Sequence, residues 1–332
     1  MVPEIAVPVV TVIELVFDVI APFFNFYLLF LLRKQIFHVN LRILTANFAI
    51  ALIILTVTRI ILTIYALFSI PFSDGFLTPI GVIHDMCVNT MMSIALPMVV
   101  ERIAATAMVY RYERTSCPWV PLMAISALWA ANAFDCLHAK DIMSNIFADK
   151  GSIGDKIHMA TSTSILITIN AVSVALFLIL IVYNTRRFQR KYGVYSLTQR
   201  YQMAENIRTS RQLLKVIFIN FVVDIFSATI ILMNVYWNEV ELNKLLSQIF
   251  DLTCALAAIV IPTVTILSHP KLSMENEANF ASLCKKISCW KASANEEQVG
   301  RVPLQTVGSK KLIVSAKEER DVYFNQLSLT WK

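Results

Sequence analysis

Seven long apolar runs divide this chain, near residues 8–32, 43–68, 80–107, 119–138, 158–183, 213–237 and 245–268. Most of them reach the roughly 20 residues that a helix needs to cross about 30 Å of hydrocarbon. The apolar share is 57% and the mean hydropathy is +0.62. One aqueous core in a chain of this size cannot hide that much oily surface. Lipid solvates it, provided the backbone satisfies itself within helices. The expected fold is an all-α membrane protein, a seven-transmembrane helix bundle.

Charge placement sets the expected orientation. The connection after the first run carries Arg33, Lys34 and Arg42, and the connection after the second carries no Lys or Arg. Arg102, Arg111 and Arg114 follow the third run, and Lys140, Lys150 and Lys156 the fourth. After the fifth come Arg186, Arg187, Arg190, Lys191, Arg200, Arg208, Arg211 and Lys215, against Lys244 alone after the sixth. The Lys/Arg excess marks the cytoplasmic side, so the N-terminus is expected outside and the C-terminus inside. A basic patch for nucleic acid is a poor reading of charge parcelled among membrane connections. The first run carries no basic leader and reads as a span, not a cleaved signal segment.

Two parts are expected: a receptor domain over 1–270 and a cytoplasmic tail over 271–332, partly disordered because residues 291–320 lack apolar periodicity. Glycine is scarce, at 7 residues, and no internal repeat is evident. Gly-broken helices in duplicated halves, common in transporters, are therefore missing. Between the fifth and sixth runs, Ser196-Leu-Thr-Gln199 fits a capping box. From there to Tyr236 the pattern predicts one helix of about 40 residues, roughly 60 Å long. Arg208, Arg211 and Lys215 share a face of it. That face reads equally as a solvated basic surface beside anionic lipid and as a docking surface for a partner.

Ionisable residues inside membrane runs are expensive and default to function. Counted from the inner helix ends, Asp18 and Arg59 lie at heights of roughly 21 and 24 Å, with Glu14 one turn above Asp18. An intramembrane ion pair of Arg59 with Asp18 or Glu14 is expected. His84, Asp85 and Asn89 on the third run, Asp135 on the fourth, Asp224 on the sixth and Asp251 on the seventh are expected to line a cavity opening outward. Its lining suits a polar or cationic small molecule. Glu101-Arg102 stands at the inner end of the third run, where the carboxylate can hold the guanidinium until a partner offers carbonyl oxygens instead.

Enzyme chemistry finds no support: there is no glycine loop for phosphate, no metal-ligand spacing and no nucleophile–base set. No cofactor and no metal are expected. A retinal pump needs a lysine inside the last run, which Lys244 and Lys271 only flank.

Three segments carry a resemblance. Val100-Glu-Arg-Ile-Ala-Ala-Thr106, Arg200-Tyr-Gln-Met-Ala-Glu-Asn-Ile-Arg208 and the end of the last run, Pro262 to Leu-Ser-His-Pro270, resemble the nematode serpentine chemoreceptors, class epsilon (Sre). The resemblance covers the membrane domain and not the tail. It implies a G-protein-coupled receptor of the plasma membrane of sensory neurons, with a small-molecule chemosensory ligand and a heterotrimeric G protein as partners. By it, Arg102 corresponds to the arginine that engages the G protein in rhodopsin-like receptors, with Glu101, Arg208 and Arg211 beside it. Ile103 replaces the aromatic residue usual after that arginine, and the Asn-Pro-x-x-Tyr element is absent. The usual receptor disulfide to the loop after the fourth helix lacks its second cysteine; Cys87 and Cys136 read as free thiols. Cys284 and Cys289 flank Lys285-Lys286 just after the last run. They are candidates for palmitoylation of a short segment at the inner surface, or plain tail cysteines. A ligand-gated seven-helix channel or small-solute carrier is the alternative from another class.

An epitope inserted in the last residues should be invisible to antibody on intact cells and stained after permeabilisation. Staining of intact cells would reverse the orientation.

Overall fold

The computed structural model describes residues 6–34, 36–68, 74–108, 117–147, 153–190, 197–236 and 240–288. Among them the helices are α1 (Ala6–Leu32), α2 (Val39–Phe68), α3 (Asp74–Ser93), α4 (Ala95–Ala107), α5 (Trp119–Phe147), α6 (Ile153–Arg190), α7 (Leu197–Tyr236), α8 (Val240–Ser268) and α9 (Pro270–Ser288). Seven segments are long and apolar enough to cross a membrane, α3 and α4 together forming the third. The chain is a multi-pass, seven-span helical membrane protein. Several helices outrun their apolar stretches, since a helix need not stop where hydrocarbon does. α7 is the long helix expected, 40 residues from Leu197; Ser196 of the capping box lies outside the described residues.

The spans close into a ring, with α1 packed on both α2 and α8 and α7 packed on both α6 and α8. Leu31, Leu44, Leu52, Met91, Met98, Phe177, Ile217 and Ile261 share one buried apolar cluster. Outward faces are just as apolar: Val12, Val16, Phe23 and Phe26 of α1, Phe134 of α5 and Ile179 of α6 are exposed. A helix that is apolar on both faces is stable only when its outer face meets lipid. All seven spans belong to a unit Met1–Glu275, and Asn276–Lys332 forms a second. In the second unit the described residues are the last turns of α9.

Apolar packing alone gives lipid-immersed helices little reason to choose each other, since lipid tails are as apolar as leucine. Side-chain amides supply the choice. Asn25 of α1 donates to the Ala258 carbonyl of α8 at 2.8 Å. Trp129 of α5 donates to Asn47 of α2 at 3.0 Å, and Asn132 of α5 to Thr90 of α3 at 2.9 Å. Asn184 of α6 donates to Thr106 of α4 at 2.9 Å, and Gln212 of α7 to the Thr265 carbonyl at 2.9 Å. Several buried hydroxyls bond their own helix: Thr45, Thr56 and Thr90 each donate to the carbonyl four residues back.

Two prolines place two of these ties. Pro262 has no N–H for the carbonyl of Ala258, and that is the carbonyl Asn25 serves. Pro97 likewise deprives Ser93, and the next bond, Met98 N–H to the Ile94 carbonyl, is stretched to 3.4 Å. The third run, read from sequence as one uninterrupted helix, is therefore two, α3 and α4, broken at Ile94. Asn220 of α7 and Asn170 of α6 brace the break by donating to the Met91 and Met92 carbonyls, at 3.2 and 2.5 Å. Freed backbone groups at membrane depth must be re-satisfied in this way.

Asn25→Leu should lower stability in detergent by about 0.6 kcal/mol, with about 1.7 kcal/mol as the ceiling for such bonds. In a Pro262→Ala background the backbone regains an N–H for the same carbonyl, and the loss should shrink; a thermal-unfolding double-mutant cycle measures this.

Candidate functional site

Ionisable and amide side chains gather at three levels of the bundle. Nearest the N-terminal ends of α1 and α8 is a charged cluster. The Arg59 guanidinium of α2 meets Glu14 of α1 at 2.5 Å and Asp251 of α8 at 2.6 Å. It also donates to Gln248 of α8 at 3.5 Å, and Thr11 of α1 reaches the same amide at 3.1 Å. His84 of α3 lies 3.9 Å from Asp251 and contacts Thr58 and the Leu55 carbonyl at 3.4 Å. Arg59 thus joins three helices, α1, α2 and α8, and His84 adds α3 through Asp251. Glu14 is fully buried, while Arg59 keeps 17% of its side chain exposed. A planar five-donor fork can serve two carboxylates at once.

Of the two partners expected for Arg59, Glu14 is the one it takes. Asp18 is buried one turn deeper, and its Oδ2 has no hydrogen-bond partner among the described residues. Comparing heights on neighbouring helices weighed α1 against α2 only. Asp251, from the far end of the chain, draws the guanidinium to the level of Glu14, where it gains two carboxylates instead of one.

The middle level centres on Asp224 of α7, fully buried. It accepts from Asn170 of α6 at 2.7 Å and from Asn220, one turn earlier on α7, at 3.0 Å.

The six residues expected to line an outer cavity make different contacts. His84 and Asp251 sit in the Arg59 cluster. Asn89 instead donates to Asp135 of α5 at 3.1 Å, with Cys136 at 3.5 Å. Asp224 belongs to the middle level, and Asp85, next to buried His84, is exposed. Adjacent residues on a helix point about 100° apart, so His84 and Asp85 cannot share a face. A shallow groove of about 450 Å³ lies elsewhere, along Ala160, Thr161, Ser164, Ile165, Thr168 and Ile169 of α6. Cys87 and Cys136 are both buried and unbridged.

At the opposite face Glu101 and Arg102 of α4 form a bidentate pair at 2.5 and 2.6 Å. Both are buried, Arg102 to 3% exposure. Around them α7 and α6 grip the end of α4: Asn206 donates to the Ala105 carbonyl at 3.3 Å and Arg187 to the Thr106 carbonyl at 3.5 Å. Glu205 pairs with Arg208 at 3.0 Å and faces His269, between α8 and α9, at 3.6 Å. Arg208 is half-buried and Arg211 exposed. Cys284 lies in α9, and Cys289 lies outside the described residues.

The profile of the Sre G protein-coupled chemoreceptors matches residues 72–332, well over half the chain. The chain belongs to the Sre family. Serpentine receptor class epsilon-8 of Caenorhabditis elegans is 23% identical to this receptor over 333 residues, spanning 95% of this chain and 88% of that one. A probable G-protein coupled receptor of the same nematode is 22% identical over 343 residues, spanning 89% and 84%. This receptor is therefore a G-protein-coupled chemosensory receptor, and the channel or carrier alternative is not favoured.

Sequence reasoning on charges missed the amides. Asn170, Asn220, Asn206 and Gln248 make contacts as specific as those of the ionisable residues, yet they are neutral. Their signal was present: an Asn interrupts most of the apolar runs, as Asn25, Asn47, Asn89, Asn132, Asn170 and Asn220 do.

Arg59→Ala leaves Glu14 and Asp251 buried without a counter-charge, a loss of about 3–5 kcal/mol. Surface expression should collapse, and adding Glu14→Gln and Asp251→Asn should restore part of it. Unchanged expression of Arg59→Ala would remove the cluster's structural role.

Proposed function

We propose that this Sre receptor stands in the plasma membrane of sensory neurons with its N-terminus outside, that a small molecule reaches it from that side, and that it signals by releasing Arg102 to a heterotrimeric G protein. The Lys/Arg excess on the connections at the side where α8 ends supports the orientation. The external ligand acts on the Arg59 cluster, which ties α8 to α1 and α2 through Arg59 and to α3 through His84. A ligand shifts the receptor only through different affinities for two arrangements. One that takes Asp251 or Glu14 from Arg59 loosens α8 from α1 and α2.

The observation that carries the reading is the clasp of Glu101 on buried Arg102, beside the Asn206 bond from α7 to the Ala105 carbonyl. An outward swing of α7 breaks the Asn206–Ala105 contact and uncovers Arg102 beside Arg208 and Arg211. The guanidinium, always charged, then exchanges the Glu101 carboxylate for acceptors on the G protein. The tail after the last span lies in the cytoplasm, and Cys284 and Cys289, next to Lys285 and Lys286 in sequence, are candidates for palmitoylation at anionic lipid.

Arg102→Ala should abolish ligand-driven GTP loading of the G protein while the receptor still reaches the surface. Glu101→Gln weakens a charge-assisted pair of about 1.5–3 kcal/mol. Basal loading should rise roughly tenfold or more, since about 1.4 kcal/mol is a factor of ten in population. Normal signalling from Arg102→Ala together with unchanged basal loading in Glu101→Gln would refute the release mechanism.

A further inference from the structure

The middle level of the bundle holds oxygens that the described residues leave unsatisfied. Asn170 Nδ2 donates to the Met92 carbonyl and to Asp224 Oδ2, and Asn220 Nδ2 to the Met91 carbonyl and the same Asp224 oxygen. Each amide nitrogen has two hydrogens, so all are committed. Each faces acceptors only, so both amides are held in one orientation. Four oxygens remain with no partner among the described residues: Asp224 Oδ1, Asn170 Oδ1, Asn220 Oδ1 and Ser227 Oγ. Asp224 and Asn170 are 0% exposed, Ser227 1% and Asn220 2%. Ser227 lies one turn beyond Asp224 on the same face of α7.

We propose that Asp224, Asn170, Asn220 and Ser227 bind a small monovalent cation, sodium. The donor set is oxygen throughout, which suits hard cations. Asp224 supplies one formal negative charge, and its partners are neutral amides. A monovalent ion balances that charge, whereas a divalent ion leaves a net positive charge in a low-dielectric interior at heavy cost. A proton on Asp224 cancels the charge but donates to a single oxygen. A water molecule satisfies oxygens but leaves the carboxylate uncompensated. A bare cation does both at once.

The placement gives the ion a consequence. Asn170 and Asn220 also brace the break in the third span, so the site joins α3, α6 and α7 where the backbone is weakest. Occupancy holds these helices together. The assignment is independent of the chemosensory ligand and of coupling to a G protein.

Purified receptor in detergent tests it without either. The unfolding temperature is compared in sodium chloride and in N-methyl-D-glucamine chloride at equal ionic strength. Sodium should raise it by a few degrees, saturating as a single site. Asp224→Asn should lose the sodium dependence, and Ser227→Ala should need several-fold more sodium for half the effect. Equal unfolding temperatures of the wild-type receptor in the two salts overturn the site, whether or not the variants fold. So does a sodium effect undiminished in Asp224→Asn or an unchanged midpoint in Ser227→Ala.

Discussion

A polar group inside a bilayer has no water to turn to when a protein partner is missing, and the contacts between the helices of this receptor follow from that. Leucine and phenylalanine fill the bundle, yet they do so as readily against lipid. What distinguishes one neighbour from another is an amide or a charge that needs a particular acceptor. Asn25 finds the carbonyl that Pro262 leaves open, and Asn170 and Asn220 find the carbonyls beside the break that Pro97 forces. Each proline creates a local need, and each asparagine fixes which helix answers it. The two kinds of residue act as one device, although they lie far apart in sequence.

The charged groups extend the same logic to the two ends. At one, Arg59 links α1, α2 and α8, with His84 of α3 against Asp251. At the other, Arg102 is buried and paired with Glu101, while Asn206 of α7 bonds the nearby Ala105 carbonyl. Neither arginine is idle. One fastens helices together, and the other is buried against its neighbour Glu101. A buried ion pair adds little net stability against a well-packed apolar alternative. In the proposed mechanism its value is that it can be exchanged, one partner for another, without leaving a bare charge in lipid.

The fold class was legible because it follows from run length and charge asymmetry, which are local properties of the chain. The long α7 was legible too, since nothing between Leu197 and Tyr236 interrupts a helix. The division of the third span was not, because a proline inside an apolar run fits a kinked helix as well as a broken one, and the stretched Met98 bond appears only in the structure. Glu101-Arg102 stood out as neighbours in sequence. The partition of His84, Asp85, Asn89, Asp224 and Asp251 did not, because helix rotation sets it and every run is apolar on all sides. Without a polar face to orient a helix, periodicity is silent about which way a given residue points.

From residues alone come the number of spans, the family signatures near Arg102, Arg208 and Pro262, and the existence of buried charges that must be paired. Tertiary structure alone decides the pairs. Arg59 prefers Glu14 and Asp251 to Asp18 because α8 closes the ring against α1, a contact between segments from opposite ends of the membrane domain. Asp224 meets Asn170 because the consecutive helices α6 and α7 pack against each other. A sequence specifies what each helix must satisfy, and only the packed bundle shows where the satisfying atom lies.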